Sequence, residues 1–399
     1  MALTNPFDSP HHSPMEASHS AWNRNRLTGL LGIDYPLIQG PLGGLSSQRL
    51  TAAVSGFGGL GSFGAHSRTP EEIPDVVAEI RTLTTRPFAI NLWVSVEDAG
   101  ARASGEDAFN QSLRSLAAHL TELGAPRPAY QPYSPVSFDK QARAVLDAKV
   151  PVFSFIFGVP PRETLTECRT RGIVTIGTAT TPDEASALEQ AGVDAIAASG
   201  FEGGGHRGSF LRAAEDSLIG TMSLVPQVVD RVGVPVIAAG GIADARGVIA
   251  ALALGAEGVQ IGTAFLSCEQ SGASRLHREA LLGGEAAYTG LTRGFTGRLA
   301  RGIHNRLMQE LNHEGTVILP YPLQRLLVRN LSVAAEAAGR SDLMQLWAGQ
   351  SAALSTHTDA LDLLTSLITE VAALAGPVAA WSSGQRHNRA PSGGIEPAD

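Results

Sequence analysis

The sequence predicts an α/β fold of the (β/α)8 TIM-barrel type carrying a mainly helical cap, and three observations predict it. Eight short runs of β-branched, small and aromatic residues follow one another from Tyr35 onward. Longer amphipathic stretches with helix-start signals separate them, the rhythm of repeated βα units around a parallel sheet. The turn after the first run, Gly40-Pro41-Leu42-Gly43-Gly44, lacks the dinucleotide fingerprint that an open doubly wound sheet carries there.

Taken in order, the strand candidates are Pro36-Gln39, Gly59-Phe63, Phe88-Leu92, Val152-Phe155, Ile173-Ile176, Ala195-Ala198, Val234-Ala238 and Gly258-Ile261. Helices are expected after Thr69-Pro70-Glu71, Thr181-Pro182-Asp183-Glu184 and Asp244, each offering a capping side chain or a proline for the first turn. Two regions break the rhythm. The Pro/Tyr-rich segment 98–135 and the mainly helical segment 288–381 are assigned to a cap and substrate region, which leaves 26–97 and 136–287 for the barrel. The segment 1–25 has no basic start followed by an apolar core, and 382–399 is rich in Gly, Ser, Pro and charge, so both read as disordered tails.

Composition narrows the function classes. Of the 399 residues 43% are hydrophobic and 17% charged, enough to bury a large core. The formal net charge is -8 and there is no basic run, which argues against nucleic acid as a partner. No apolar run approaches the roughly 18 residues a membrane span needs. The two cysteines, Cys168 and Cys268, lie apart in apolar segments, and a cytoplasmic, reducing location is the simple reading. Lys140 and Lys149 are the only lysines, a bias from which no function follows. The oligomeric state is not legible.

In a barrel of this type chemistry sits at the carboxyl ends of the strands. The seventh run ends in Ala239-Gly240-Gly241-Ile242-Ala243-Asp244 and the eighth in Gly262-Thr263, adjacent loops whose small residues let backbone N–H groups approach a phosphate. The sixth ends in Ser199-Gly200-Phe201-Glu202-Gly203-Gly204-Gly205-His206-Arg207-Gly208, where Gly203, Gly204, Gly205 and Gly208 surround one imidazole that can take a proton near neutral pH. Gly203, Gly205 and Gly208 imitate GxGxxG, but no helix pattern opens at once after Gly208 and the His-Arg pair would crowd a pyrophosphate turn. Asn91 at the end of the third run has an amide suited to a pyrimidine edge, and Gln260 points inward with Gly258 and Gly262 by period two. Both fit equally well as buried polar partners. His66, His277 and His304 lack neighbours at metal spacing, so surface or helical roles and no metal are expected.

These residues carry a family resemblance. Pro36-Leu-Ile-Gln-Gly-Pro-Leu-Gly-Gly44, Gly204-Gly-His-Arg-Gly208, Ala238-Ala-Gly-Gly-Ile242, Gly258-Val-Gln-Ile-Gly-Thr-Ala-Phe265, Thr296-Gly-Arg-Leu-Ala-Arg301 and Trp347-Ala-Gly-Gln350 together resemble the nitronate monooxygenases, formerly 2-nitropropane dioxygenases, over about Arg26 to Ala380. The resemblance implies FMN held by Gly40, Pro41, Leu42, Asn91, Ser199, Gly204, Gly205, Gly240, Gly241, Gln260, Ile261, Gly262 and Thr263, with His206 as catalytic base. It also implies oxidation of an alkyl nitronate by O2 to a carbonyl with loss of nitrite, the flavin doing the electron chemistry.

The chain departs from the family pattern where substrate should lie. Ile156 stands where the family's fourth strand has histidine, and Ser199 where it commonly has glutamine. Of the cap pattern Tyr-x-x-x-Tyr-x-x-x-Lys only Tyr321 remains, followed by Arg325 and Arg329, and Ala-Pro-Met has become Gly40-Pro41-Leu42. Ile156, Tyr321 and Arg325 are therefore the expected substrate-pocket residues. An NAD(P)H-dependent FMN reductase of the quinone or enoyl-thioester type, and a flavin-binding protein without turnover, stay open as alternatives.

Overall fold

The computed structural model describes residues 22–131 and 136–383. Eight parallel strands form the sheet: β1 (Leu37–Gln39), β2 (Gly61–Gly64), β3 (Phe88–Trp93), β4 (Val152–Ile156), β5 (Val174–Ala179), β6 (Ala195–Ser199), β8 (Val236–Ala239) and β9 (Gly258–Ile261). Their order is β1-β9-β8-β6-β5-β4-β3-β2, the right order for a (β/α)8 barrel. Between β1 and β2 the ladder thins to a single parallel bridge, Ile38 to Leu60. Gln39 makes good the gap: its amide nitrogen donates to Ser62 O at 2.9 Å and its amide oxygen accepts from Ser62 N at 3.0 Å. A strand that looks too short to pair is thus stitched into the closure by a buried side chain.

All six residues of β3 are buried. A strand covered by helices outside and packed side chains inside reads as a continuous apolar run, which is why such strands stand out in the sequence. Helix starts follow local chemistry at two of the three expected places. Thr181 accepts from Glu184 N with Pro182 in the first turn, and Asp244 accepts from Gly247 N. The third is inverted. The helix Glu72–Leu83 has no side-chain cap from its N-terminal neighbour; instead the Glu72 carboxylate accepts from Thr69 N at 2.7 Å.

The helix Arg26–Leu31 stops the amino-terminal end of the barrel. Its Leu27 and Leu31 pack with Ile38, Ala89, Val152, Ile176, Ala195 and Ile237, the inward residues near the strand starts. Gly258 permits this approach, since a Cβ there would sit 2.5 Å from Leu27 Cδ2. With that end plugged, the carboxyl end is left for a site.

A second apolar core lies over the carboxyl end, where Phe109, Leu113 and Leu116 of the helix Glu106–Glu122 meet Leu323, Leu327 and Leu331 of the helix Leu323–Ala337, together with Phe295 and Trp347. The region after residue 288 also contains strands, which its helical pattern did not suggest. Strands β10 (Thr289–Thr292) and β11 (Ala300–Ile303) pair antiparallel, and β11 pairs with β7 (Gly205–His206) inside the glycine-rich loop. Helix Ala360–Ser383, expected in the cap, places Ala360, Leu363, Leu364, Leu367 and Val371 in the barrel's core cluster instead.

Most of the expected tails lies outside the described residues. The N-terminal boundary at 25 is too late, because Trp22 stacks on Tyr35 with ring centroids 6.1 Å apart and Asn25 caps the first helix. Ser382 and Ser383 end the helix Ala360–Ser383. No helix among the described residues is long and apolar enough to cross a membrane.

Candidate active site

The carboxyl ends of the strands surround a cavity of about 1200 Å3 including its mouth. Gly40, Pro41 and Leu42 after β1, Asn91 of β3, Ser199 of β6, Gly204 to His206 of the long loop, Gly240 and Gly241 after β8, and Gln260, Gly262 and Thr263 at β9 all line it. Ile261 does not: its side chain is buried in the barrel core, and only its carbonyl serves this region, accepting from Gly40 N at 2.8 Å. That follows from strand alternation, which turns Ile261 away when Gln260 faces in.

Backbone forms much of the wall because side chains do not fit. A Cβ on Gly204 would meet Ala348 C and Gly349 N at 2.6 Å, and one on Gly240 would meet Gly200 O at 2.8 Å. Gly240 and Gly241 also have φ of +99° and +71°, the region that favours glycine. Leu42 and Phe157 take positive φ, 43° and 66°, without being glycine, so the cavity rim holds backbone strain that the surrounding packing maintains. Behind the wall, the Glu202 carboxylate accepts from Thr221 N at 2.9 Å, and Thr221 Oγ1 lies 2.8 Å from Gly240 O. This brace holds two of the loops together.

His206 stands on the cavity wall within an aromatic box. Its ring lies 5.1 Å from Trp93, 5.2 Å from Trp347 and 6.0 Å from Tyr321, all inclined or edge-on. Nε2 is 2.8 Å from Thr296 Oγ1. Burial, with Arg298, His66 and Arg325 nearby, pushes the imidazole well below its usual pKa and keeps it neutral. Arg207, the neighbour in sequence, turns the other way: its guanidinium donates to the carbonyls of Ser199, Ser217 and Thr180, and burial pulls its pKa down to about 10.

Arg298 is buried over the box, 4.3 Å from the Phe157 ring centre and 4.5 Å from that of Tyr321. It donates to Asp98 Oδ1 at 2.7 Å and to Ser95 O at 3.0 Å, tying the segment after β3 to the turn before β11.

The expected substrate-pocket residues are only partly together. Ile156 lines the cavity. Tyr321 stands beside His206 and Trp93 in the box, and Arg325 reaches its hydroxyl at 3.4 Å. Arg329 is exposed and lines a separate groove with Phe109 and Pro126.

His66 corrects the surface role expected for it. It is only 7% exposed and stacks flat on Trp93 at 3.9 Å, because the turn after β2 tucks it under Gly43. Burial lowers its pKa to about 3. His277 is helical as expected but buried, with Nε2 2.9 Å from Trp347 O and a pKa near 4. His304 is exposed outside any helix.

Sequence reasoning gave no role to Trp93, Phe157, Thr296, Arg298 or Trp347. Trp93 was reachable, since period two along β3 puts it on the face of Asn91. The others arrive from segments whose meeting the chain does not announce.

A family model for nitronate monooxygenase matches residues 24–370. A probable nitronate monooxygenase of Staphylococcus aureus (strain Newman) is 40% identical over 353 residues, covering 88% of this chain and 98% of the relative. Among solved structures, nitroalkane oxidase from Streptomyces ansochromogenes aligns with a TM-score of 0.78 at 37% identity, over 88% of this chain and 99% of that one. FabK from Thermotoga maritima aligns with a TM-score of 0.69 at 27% identity, over 90% and 99%. The chain therefore belongs to the nitronate monooxygenase family and is a flavin-dependent oxidoreductase.

Proposed function

We propose that this protein binds FMN in the strand-end cavity and oxidises an alkyl nitronate with O2 to a carbonyl compound and nitrite, with His206 as base toward neutral nitroalkanes. The observation that carries the reading is a neutral imidazole on the wall of a cavity built largely from glycine backbone.

The residues fit a flavin. Gly204 and Gly240 leave no room for a Cβ, so backbone itself faces the cavity, as a flat ring requires. The N–H groups around Gly240, Gly241, Gly262 and Thr263 suit the phosphate. Asn91 donates to Ser154 Oγ at 3.0 Å, which leaves its amide oxygen for the ring's pyrimidine edge, and Gln260 offers a second amide. Gly40, Pro41, Leu42, Ser199 and Gly205 complete the proposed contacts, with Ile261 contributing backbone only. Bound FMN supplies a two-electron acceptor that can be regenerated by O2.

The chain's own work is to orient substrate and move a proton. Trp93, Trp347 and Tyr321 shape the space beside His206, and Ile156 makes one wall apolar. A preformed nitronate needs no base, whereas a neutral nitroalkane must first lose its α-proton to the imidazole.

Anaerobic mixing with propionate 3-nitronate or with NADH, followed by oxidised-flavin absorbance, tests the reading. Bleaching by the nitronate alone is expected, with nitrite formed in air. Bleaching by NADH alone overturns it in favour of a reductase, and no bleaching by either leaves a flavin-binding protein. His206→Asn is expected to keep its flavin and lose activity on neutral nitroalkanes; unchanged activity removes His206 from the base role.

A further inference from the structure

Only one of the two nitrogens of His206 is committed. Nε2 meets Thr296 Oγ1 at 2.8 Å. Thr296 is buried, and its hydroxyl has a second, longer partner in the Arg298 carbonyl at 3.4 Å. Among the described residues nothing hydrogen-bonds to Nδ1, yet Nδ1 is not one of the sealed polar atoms left without a partner. It is therefore open to the cavity that His206 lines.

Proton counting then ties the tautomer to where the Thr296 hydroxyl proton goes. A threonine hydroxyl has one proton, and a carbonyl can only accept. Given to Arg298 O, that proton leaves the hydroxyl's lone pair to receive Nε2–H. We propose that Thr296 is a positioning residue that holds His206 as the Nε2–H tautomer, so that Nδ1 is the nitrogen that removes the α-proton of a neutral nitroalkane. The proposal rests on the base role given to His206 above.

In the step, the substrate C–H bond breaks, its electron pair moves into the nitro group to form the nitronate, and the proton bonds to Nδ1. The resulting imidazolium keeps Nε2–H on Thr296 and points Nδ1–H at the new anion. One acceptor serves both protonation states without ring rotation. The opposite tautomer would present an N–H to the substrate carbon and could take nothing from it.

The fold holds the pair in register. Ala300 of β11 is the ladder partner of His206, and Thr296 lies in the turn just before β11. Gly297 fixes that turn: its φ is +95°, and a Cβ there would come within 2.4 Å of Leu319 O.

The test uses the flavin-loaded protein with nitroethane and with preformed ethyl nitronate. Thr296→Val is expected to lower the ratio of kcat/KM for nitroethane over ethyl nitronate by about tenfold or more, and Thr296→Ser to restore most of it. A packing defect would lower both substrates together, so an unchanged ratio overturns the proposal. A second readout needs no turnover: 15N NMR of histidine-labelled protein, with His206→Asn to assign the signal. A pyridine-type shift at Nδ1 is expected, and a pyrrole-type shift there overturns the proposal. If His206→Asn itself leaves nitroethane oxidation intact, the base role falls and this inference with it. If His206→Asn abolishes oxidation while Thr296→Val keeps the ratio, only this inference fails.

Discussion

Acid should unfold this protein before its carboxylates titrate, because it buries neutral imidazoles. His66 and His277 have pKa values of about 3 and about 4, both lowered chiefly by burial. A group whose folded pKa lies below its unfolded value binds fewer protons folded than unfolded, so stability is full above about pH 6.5 and falls as the pH drops below it. At pH 5 the unfolded chain has protonated both rings while the folded chain still holds both neutral. The gap is about 1.5 pH units at about 1.36 kcal/mol per unit, or about 2 kcal/mol for each histidine. His206, depressed for the same reason, acts in the same direction. The perturbation that isolates one contribution is His277→Gln, which keeps an N–H for Trp347 O but has no proton to gain. Urea unfolding at pH 7.5 and pH 5.0 reads the difference. The unsubstituted protein should lose about 4 kcal/mol or more between these pH values, and the variant about 2 kcal/mol less. A flat profile, or an equal loss in the variant, refutes the reasoning.

Arg298→Met removes a cation that helps hold His206 neutral and leaves Asp98 without its partner. The acid limb of kcat/KM for neutral nitroalkanes should move to higher pH, with a stability loss of about 1–3 kcal/mol; an unmoved limb refutes the electrostatic link. Gly204→Ala drives a methyl into Ala348 and Gly349, which should cost about 1–3 kcal/mol and lower the flavin retained after gel filtration. Gly105→Ala, with open space around it, is the matched control. Full flavin retention in Gly204→Ala would show that the wall yields freely.

The barrel was legible because its strands are buried on both faces. Gly258–Ile261 is the strand the alternation predicts, and the β4 and β6 expectations fall one residue short at their carboxyl ends. What failed to show were partners brought from far along the chain. His66 follows β2 among small and polar residues, and nothing local announces a tryptophan stacked on it from β3. Strand β7 has two residues, one a glycine, too few for any periodicity. The loop's glycines and imidazole could be read directly. The residues that set the imidazole's hydrogen bond and charge, Thr296 and Arg298, lay in a motif whose meaning depends on a fold-back the linear pattern does not contain.

The three-stranded sheet that joins β7 to β11 also limits how this enzyme can be recombined. A chimera that replaces 288–350 with the corresponding segment of a relative would exchange one side of the His206 ladder and the turn carrying Thr296, while leaving the loop that must match them. Compatible exchange units therefore include 200–208 together with 288–350, although some 80 residues separate the two. The two segments behave as a single heritable cassette split across the chain.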